Sequence, residues 1–412
     1  MSASDQDVVV TGIGLTTALG ETALTTWARL MAGESAIALR QPFLDLDPGP
    51  LAMIGKAPVN LSAMTRRLAL AAWKDAGLSF GAGAGDDGDD WGSDWGSDWG
   101  SDWGSNCGTV VGSSRSHLQV LEDMAFQQRQ RPDQIKGDWL SSLAHMPALT
   151  VAQTVGARGP LLAPMAACAT GVWAIAQAAD LIRSGQCRRA IAGAVESPIT
   201  RLTLAGFQKM GALAQTGCYP FDVVREGFVL GEGGALLVME SAAVAAARGA
   251  RVYGKVLGAG MTNDSHHVSA FDPTYRMGRR AVELCLARSG LGASEVDAVH
   301  THGTSTVQND RMEASLIAAL RAVRSPGRKH LPVMASKGAT GHTLGASGAV
   351  VVALGLMSLY RQRLAPCVGL HTAGFELDFV HRGEKARLEK LLCFSFGFGG
   401  QNAALALEKA EC

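Results

Sequence analysis

The chain has 412 residues, a formal net charge of zero, 47% hydrophobic and 18% charged residues. That length supports a large buried core, in two or three domains or one fused unit. Balanced charge with a pI near 7.1 excludes a general nucleic-acid binder, though a local basic patch for an acidic partner remains compatible with it.

In chain order, Met1 to Val10 carries Asp5 and Asp7 and passes straight into Val8-Val9-Val10, a strand ahead of the Thr11-Gly12-Ile13-Gly14 turn. No basic region precedes an apolar run, so no signal peptide is expected. Eight cysteines without a CxxC pair indicate neither a zinc site nor a disulfide framework, and reduced, cytoplasmic thiols follow. From 81 to 106 a Trp-Gly-Ser-Asp tetrapeptide recurs in one frame, at Trp91, Trp95, Trp99 and Trp103. It offers no apolar face of either period and reads as a duplicated low-complexity loop.

Further strands are predicted at Gly108–Gly112, Ala190–Ala194, Ala235–Met239, Arg251–Leu257, Ala298–His300, Val333–Ala335 and Leu391–Ser395, with a helix over Gly171–Ser184. Alternation of this kind indicates an α/β protein with buried sheets. A soft division near Gly249-Ala250 gives two halves, 1–250 and 251–412. The apolar run from Thr343 to Tyr360 is interrupted by Gly345, Ser347, Gly348 and Gly355 and reads as a buried helix rather than a membrane span.

Four segments carry chemistry. Pro164-Met165-Ala166-Ala167-Cys168-Ala169-Thr170-Gly171 sets one cysteine among small residues before an Ala-rich helix. Unpaired N–H groups and the positive end of the helix dipole are expected to lower the thiol pKa and to hold an oxyanion. Val299-His300-Thr301-His302-Gly303-Thr304-Ser305-Thr306 runs from a strand into a glycine turn, with Asp310-Arg311-Met312-Glu313 opening a helix beyond it. His302 faces a cleft more readily than His300, which lies within the strand. Ser336-Lys337-Gly338-Ala339-Thr340-Gly341-His342 places lysine and histidine on a glycine-rich turn without P-loop spacing. Cys393-Phe394-Ser395-Phe396-Gly397-Phe398-Gly399-Gly400-Gln401-Asn402 is an aromatic, glycine-rich loop able to supply a backbone N–H and an apolar gate.

In order and approximate spacing, the four segments resemble the elongating β-ketoacyl-[acyl-carrier-protein] synthases of type II fatty acid synthesis. The resemblance runs from Val8 to Gly400 and includes Phe221-Asp222 and Glu226-Gly227-Phe228-Val229-Leu230-Gly231-Glu232-Gly233. It implies a thiolase-like fold: two similar α/β halves in a five-layered α-β-α-β-α sandwich, assembled as a homodimer. It implies Cys168 as acyl-accepting nucleophile, His302 and His342 completing a Cys-His-His triad, and Lys337 with Glu313 as the supporting pair. Backbone N–H groups of Cys168 and Phe398 would form the oxyanion hole. Thr304 and Thr306 would contact the phosphopantetheine arm, with Phe207 and Phe398 lining the substrate pocket. Arg66, Arg67, Arg129 and Arg131 lie in carrier-facing segments, the partner being acyl carrier protein. No metal or redox cofactor is implied, since substrates arrive on the carrier's phosphopantetheine, and neither nucleic acid nor a membrane span enters.

The chain departs from the family pattern at Ala167, at Gly338-Ala339, at Phe394 and Gln401, and at Arg115, which stands where a small or apolar residue is usual near the far end of the acyl pocket. Rival readings are a specialised or polyketide-type ketosynthase, a non-catalytic chain-length-factor-like subunit, which would lack the nucleophile, and a degradative thiolase, which would need a second cysteine as base.

Overall fold

The computed structural model describes residues 7–79, 106–130 and 139–410. The tryptophan repeat, 91–105, and Arg131 lie outside the described residues.

The first half runs β1 (Val8–Thr17), α1 (Ala23–Met31), β2 (Ala38–Arg40), β3 (Gly49–Leu51), α2 (Leu61–Asp75), β4 (Cys107–Gly112) and α3 (Leu118–Gln130). It continues with α4 (Met146–Val155), β5 (Leu161–Leu162), α5 (Thr170–Arg183), β6 (Arg189–Glu196), α6 (Arg201–Lys209), β7 (Gly233–Ser241) and α7 (Ala242–Ala247). The second half holds β8 (Gly254–Asn263), α8 (Arg276–Arg288), β9 (Ala298–His300), α9 (Val307–Ala322), β10 (Pro332–Met334), α10 (Lys337–Thr340) and α11 (Ser347–Arg361). It ends with β11 (Arg363–Leu364), β12 (Asp378–Phe379), β13 (Glu384–Lys385), β14 (Lys390–Gly397) and β15 (Gln401–Glu408). The division expected at 250/251 falls between α7 and β8.

Eleven strands join in the order β12-β10-β9-β14-β15-β8-β1-β7-β6-β4-β5. The two halves meet where β1 pairs with β8 through Val8↔Val256, Val9↔Lys255 and Val10↔Gly254. The central helices α5 and α11 pack on each other and on strands of both halves. Helices α2 and α4 cover the outer face of the first half, and α8 and α9 that of the second. The result is five layers, helix, sheet, helix, sheet, helix.

Central position explains why α11 is apolar on every side: Ser347 to Leu359 are all buried. The segment Leu344–Arg361 is long and apolar enough to cross a membrane by length and composition, yet 89% of it is buried in this core. Helix α5 crosses α11 where Gly171 faces Ala349. A Cβ on Gly171 would stand 2.2 Å from the Ala349 backbone nitrogen, so only glycine allows this approach.

Two expectations need correction. The first strand does not stop at Val10; β1 continues through Thr11-Gly12-Ile13-Gly14 to Thr17, with a register shift between Val10 and Gly12 that keeps it paired to β7. The Arg251–Leu257 strand starts later and runs longer, Gly254–Asn263, because its partner β15 extends that far.

Candidate active site

Cys168 sits on a turn locked by local chemistry. Thr170 Oγ1 accepts from the Ala166 N–H at 2.9 Å and donates to the Ala167 carbonyl at 2.7 Å. Ala167 adopts φ 46°, in the left-handed region a non-glycine residue rarely occupies, and the resulting kink projects the following side chain. Ser347 and Ser395 hydroxyls, from the second half, donate to the Cys168 carbonyl at 3.4 and 2.9 Å.

His302 follows β9. Its backbone N–H and that of Gly303 donate to the two carboxylate oxygens of Glu313, at 2.7 and 2.6 Å, from the second turn of α9. Asn309 Nδ2 adds a third bond to Glu313 at 2.7 Å. Lys337 Nζ stands 3.2 Å from His302 Nδ1 and also donates to the His302 carbonyl. Lys337 and Glu313, expected as a supporting pair, form no direct ion pair; each grips His302 from its own side. His342 is fixed by its backbone, its N–H donating to Val229 at 2.7 Å while its carbonyl accepts from Gly231 at 3.0 Å. Its ring meets Phe228 edge to face with centroids 5.2 Å apart.

These segments converge. Donor atoms of Cys168, His302 and His342 all lie within 4.8 Å of one another. The imidazoles are mutually perpendicular, centroids 5.2 Å apart. Burial, then the Lys337 ammonium and His342, hold the His302 imidazole well below its usual pKa; burial, then Lys337, does the same to His342. Both rings are neutral in the ordinary pH range. Burial likewise lowers Lys337 and raises Glu313.

At the thiol, burial works against the lowering expected from the helix dipole. Helix α5 begins only at Thr170, and burial dominates at Cys168, pushing its pKa up to about 11. The Lys337 and Arg115 cations and the Phe398 backbone N–H pull it back in part. A protonated thiol needs a neighbouring base, and an imidazole within 4.8 Å is able to act as one. The same triangle of donors has the size of a metal site, but the Lys337 ammonium against His302 opposes a second cation there.

Phe398 reaches the thiol because Gly397 lets the loop pass close to the turn: a Cβ there would stand 2.8 Å from the Ala166 carbonyl. Phe207 is buried, 6.1 Å from Phe398 between ring centroids and 5.1 Å from Phe228. Cys168, Phe207 and Phe398 share one apolar cluster with Phe43, Ile199 and Leu344. Thr304 and Thr306 hydroxyls are 2.9 Å apart, and Thr306 caps α9 through the Asn309 N–H. His300 is buried in β9, its Nε2 3.2 Å from Ser336 Oγ, outside the triangle.

Arg66 and Arg67 are exposed on α2, and Arg129 is exposed in the last turn of α3. None hydrogen-bonds to a site residue; Arg67 ion-pairs with Glu21 at 3.5 Å. Sequence reading missed Asn309, whose position in the first turn of α9, one turn before Glu313, was the available signal, and Ser395, hidden in a strand.

A thiol set against two imidazoles inside a five-layered α/β scaffold is one recognisable class of site, and the comparisons place it. The family model described as beta-ketoacyl synthase, N-terminal domain, matches residues 67–245, and that described as beta-ketoacyl synthase, C-terminal domain, matches 253–371. The chain belongs to the β-ketoacyl synthase family. It is 36% identical over 265 residues to a 3-oxoacyl-[acyl-carrier-protein] synthase 2 of Staphylococcus aureus strain COL, covering 62% of this chain and 63% of that protein. A protein of the same name from Vibrio harveyi is 35% identical over 278 residues, covering 65% and 66%. The chain thus spans just under two thirds of these relatives' length.

A crystal structure of a beta-ketoacyl synthase from Burkholderia phymatum STM815 superposes with TM-score 0.84 at 26% identity, covering 98% of this chain and 100% of that one. A type II PKS ketosynthase in complex with its acyl-carrier protein superposes with TM-score 0.88 at 23% identity, covering 98% and 99%, a likeness of fold alone. The architecture is the thiolase-like one these structures share.

Proposed function

We propose that this protein is an elongating β-ketoacyl-[acyl-carrier-protein] synthase of fatty acid biosynthesis. The observation that carries the reading is the meeting of the Cys168 thiol with His302 and His342, every donor atom within 4.8 Å of the others.

Cys168 attacks an acyl thioester and loses its proton to an imidazole. As an ammonium, Lys337 can only donate, so His302 Nδ1 accepts and Nε2 carries the hydrogen. His342, whose Nδ1 is buried without a partner among the described residues, is fixed in neither tautomer, and it takes the thiol proton and returns it to the departing thiolate. Backbone N–H groups of Cys168 and Phe398 hold the tetrahedral oxyanion. A malonyl thioester then binds with its thioester carbonyl oxygen against both imidazoles. Carbon dioxide leaves, the enolate oxygen accepts both hydrogen bonds, and the enolate carbon attacks the acyl-cysteine. Collapse frees the Cys168 thiolate and the β-ketoacyl thioester. No metal or redox cofactor takes part.

Thr304 and Thr306 receive the phosphopantetheine arm, and acyl carrier protein delivers it; the complex noted above supports that partner by analogy. A homodimer is supported by the edge strand β5 with exposed Leu161 and Leu162, by Met165, and by α3, which buries none of its described residues. The cysteines of the described residues, all seven free, fit a reducing, cytoplasmic setting.

The test separates the half-reactions. Cys168→Gln should abolish condensation, while malonyl decarboxylation persists or rises, because the Gln carbonyl occupies the place of the acyl-cysteine. His302→Ala should lower decarboxylation about a hundredfold or more, with Cys168 still acylated. His342→Ala should slow both steps, since the protonated thiol needs a base. Carbon dioxide release and acyl-enzyme mass read the two steps; condensation by Cys168→Gln would refute the assignment.

A further inference from the structure

Among the described residues five arginines stack over aromatic rings: Arg115 on Phe207, Arg189 on Trp73, Arg201 on Phe43, Arg225 on Phe375 and Arg251 on Tyr253. Four of them also hold an oxygen. Arg189 pairs with Glu240, Arg201 with Asp45 and Arg251 with Asp75, and Arg225 donates to the Asp222 carbonyl. Arg115 alone has none among the described residues. The residue is half-buried; its Nε is buried without a hydrogen-bond partner, and its guanidinium enters no ion pair among the described residues.

Two carboxylates of this region are committed elsewhere. Glu196, completely buried, accepts the Arg115 backbone N–H at 3.1 Å, but its oxygens are otherwise filled by Ser113, Ser114 and Gly345. Glu122 accepts from Thr200 Oγ1 and the Leu202 N–H. The same fivefold capture of Glu196 holds the Arg115 backbone in place while leaving its side chain unpaired.

What the guanidinium faces is the substrate wall. Its carbon is 5.1 Å from the centroid of Phe207, which shares an apolar cluster with Cys168 and Phe398, and its charge is felt at the thiol. An unpaired cation against an apolar wall is costly, and a bidentate anion is the group that satisfies it. Low dielectric strengthens that pairing.

We propose that Arg115 is a specificity-determining residue that binds a carboxylate at the far end of the acyl chain carried by Cys168, so that monothioesters of dicarboxylic acids are favoured primers. The inference rests on the condensing reading of Cys168. An alkyl chain of the same length would bring no partner for the guanidinium and would leave its buried Nε unsatisfied.

The experiment compares pantetheine thioesters in pairs of equal length, glutaryl with pentanoyl, adipoyl with hexanoyl, pimeloyl with heptanoyl, by the rate of Cys168 acylation of the full-length protein read by intact mass. In at least one pair the diacid should load about tenfold faster or more. Arg115→Leu should abolish that preference and Arg115→Lys should restore part of it. Melting temperature should not fall in Arg115→Leu, since an unpaired cation is removed and the backbone bond to Glu196 stays. Equal loading within every pair, retention of the preference by Arg115→Leu, or a large fall in its melting temperature would each overturn the proposal while leaving the condensing reading intact. A variant that merely admits longer alkyl chains, with no diacid preference in the parent, would make Arg115 a plug and overturn it too. Failure of both series to acylate Cys168 would remove the condensing reading and the proposal with it.

Discussion

The Lys337 ammonium meets His302 twice, at the ring Nδ1 3.2 Å away and at the residue's own carbonyl oxygen. One side chain therefore sets the tautomer of the imidazole and anchors the backbone that carries it. Glu313 anchors the same stretch from the opposite side through the N–H groups of His302 and Gly303.

Removing either anchor should affect decarboxylation more than acylation. For Lys337→Ala, carbon dioxide release should fall by about a hundredfold, in the range seen for loss of one oxyanion donor, while acyl-Cys168 still forms. Glu313→Gln replaces one acceptor oxygen by an NH2 that cannot accept, and should cost about 1.5–3 kcal/mol of stability. Thermal melting alongside carbon dioxide release checks both; equal loss of both half-reactions in Lys337→Ala would remove its role in setting the tautomer.

Carrier recognition should show in salt-dependent kinetics. Reversing Arg66 and Arg67 to Glu should raise KM for carrier-bound substrate on the order of tenfold and leave a small pantetheine thioester unaffected, because only the acidic carrier feels the surface charge. Parallel changes for both substrates would show that α2 serves the scaffold instead.

His300 gives a pH signature of stability. Burial lowers its pKa to about 3, from 6.5. A base whose folded pKa is depressed is stabilising above its unfolded value, and that contribution is lost as pH falls below 6.5 toward the folded value. The loss should be about 1 kcal/mol over the first pH unit below 6.5. Asp310, raised by burial to about 6, works in the opposite sense. The clean measurement is therefore the difference between the parent and His300→Gln in urea unfolding across that range; parallel pH curves would contradict the assignment.

Gly171 carries the crossing of the two central helices. Gly171→Val should cost about 3 kcal/mol or more, because its Cβ meets the Ala349 backbone rather than a movable side chain. Activity should fall further than stability, since Cys168 stands just ahead of α5 and His342 just ahead of α11. A shift in melting temperature with unchanged turnover would show that the site tolerates displacement of the crossing.

Residue type made part of this site legible. A cysteine on a turn of small residues, a histidine after a strand and a lysine–histidine turn each announce themselves locally, and the structure unites Cys168, His302, Lys337 and His342. What the sequence concealed depends on distant neighbours. At Cys168, burial that only the closed fold imposes opposes the lowering expected from the helix dipole. The separation of Lys337 from Glu313 depends on which face of His302 each approaches. Asn309 looks like a polar residue of a first turn until Glu313 is placed beside it. The glycines within β1 read as a turn, because the register shift that accommodates them is visible only against β7.

That first strand has a further consequence for how the protein is made. Val8 to Thr17 are all buried, and their partner strands are β7 and β8, Val8 lying opposite Ser241 and Val256. At a synthesis rate of about 5–20 residues per second, the strand leaves the ribosome roughly 10–50 seconds before either partner exists. For that interval a run of valine, isoleucine and leucine with both edges open is available to any other nascent chain. The yield of folded protein should therefore depend on translation speed and on chaperones that cover a short apolar strand, and a solubilising fusion ahead of Val8 should help more than one placed after Glu408.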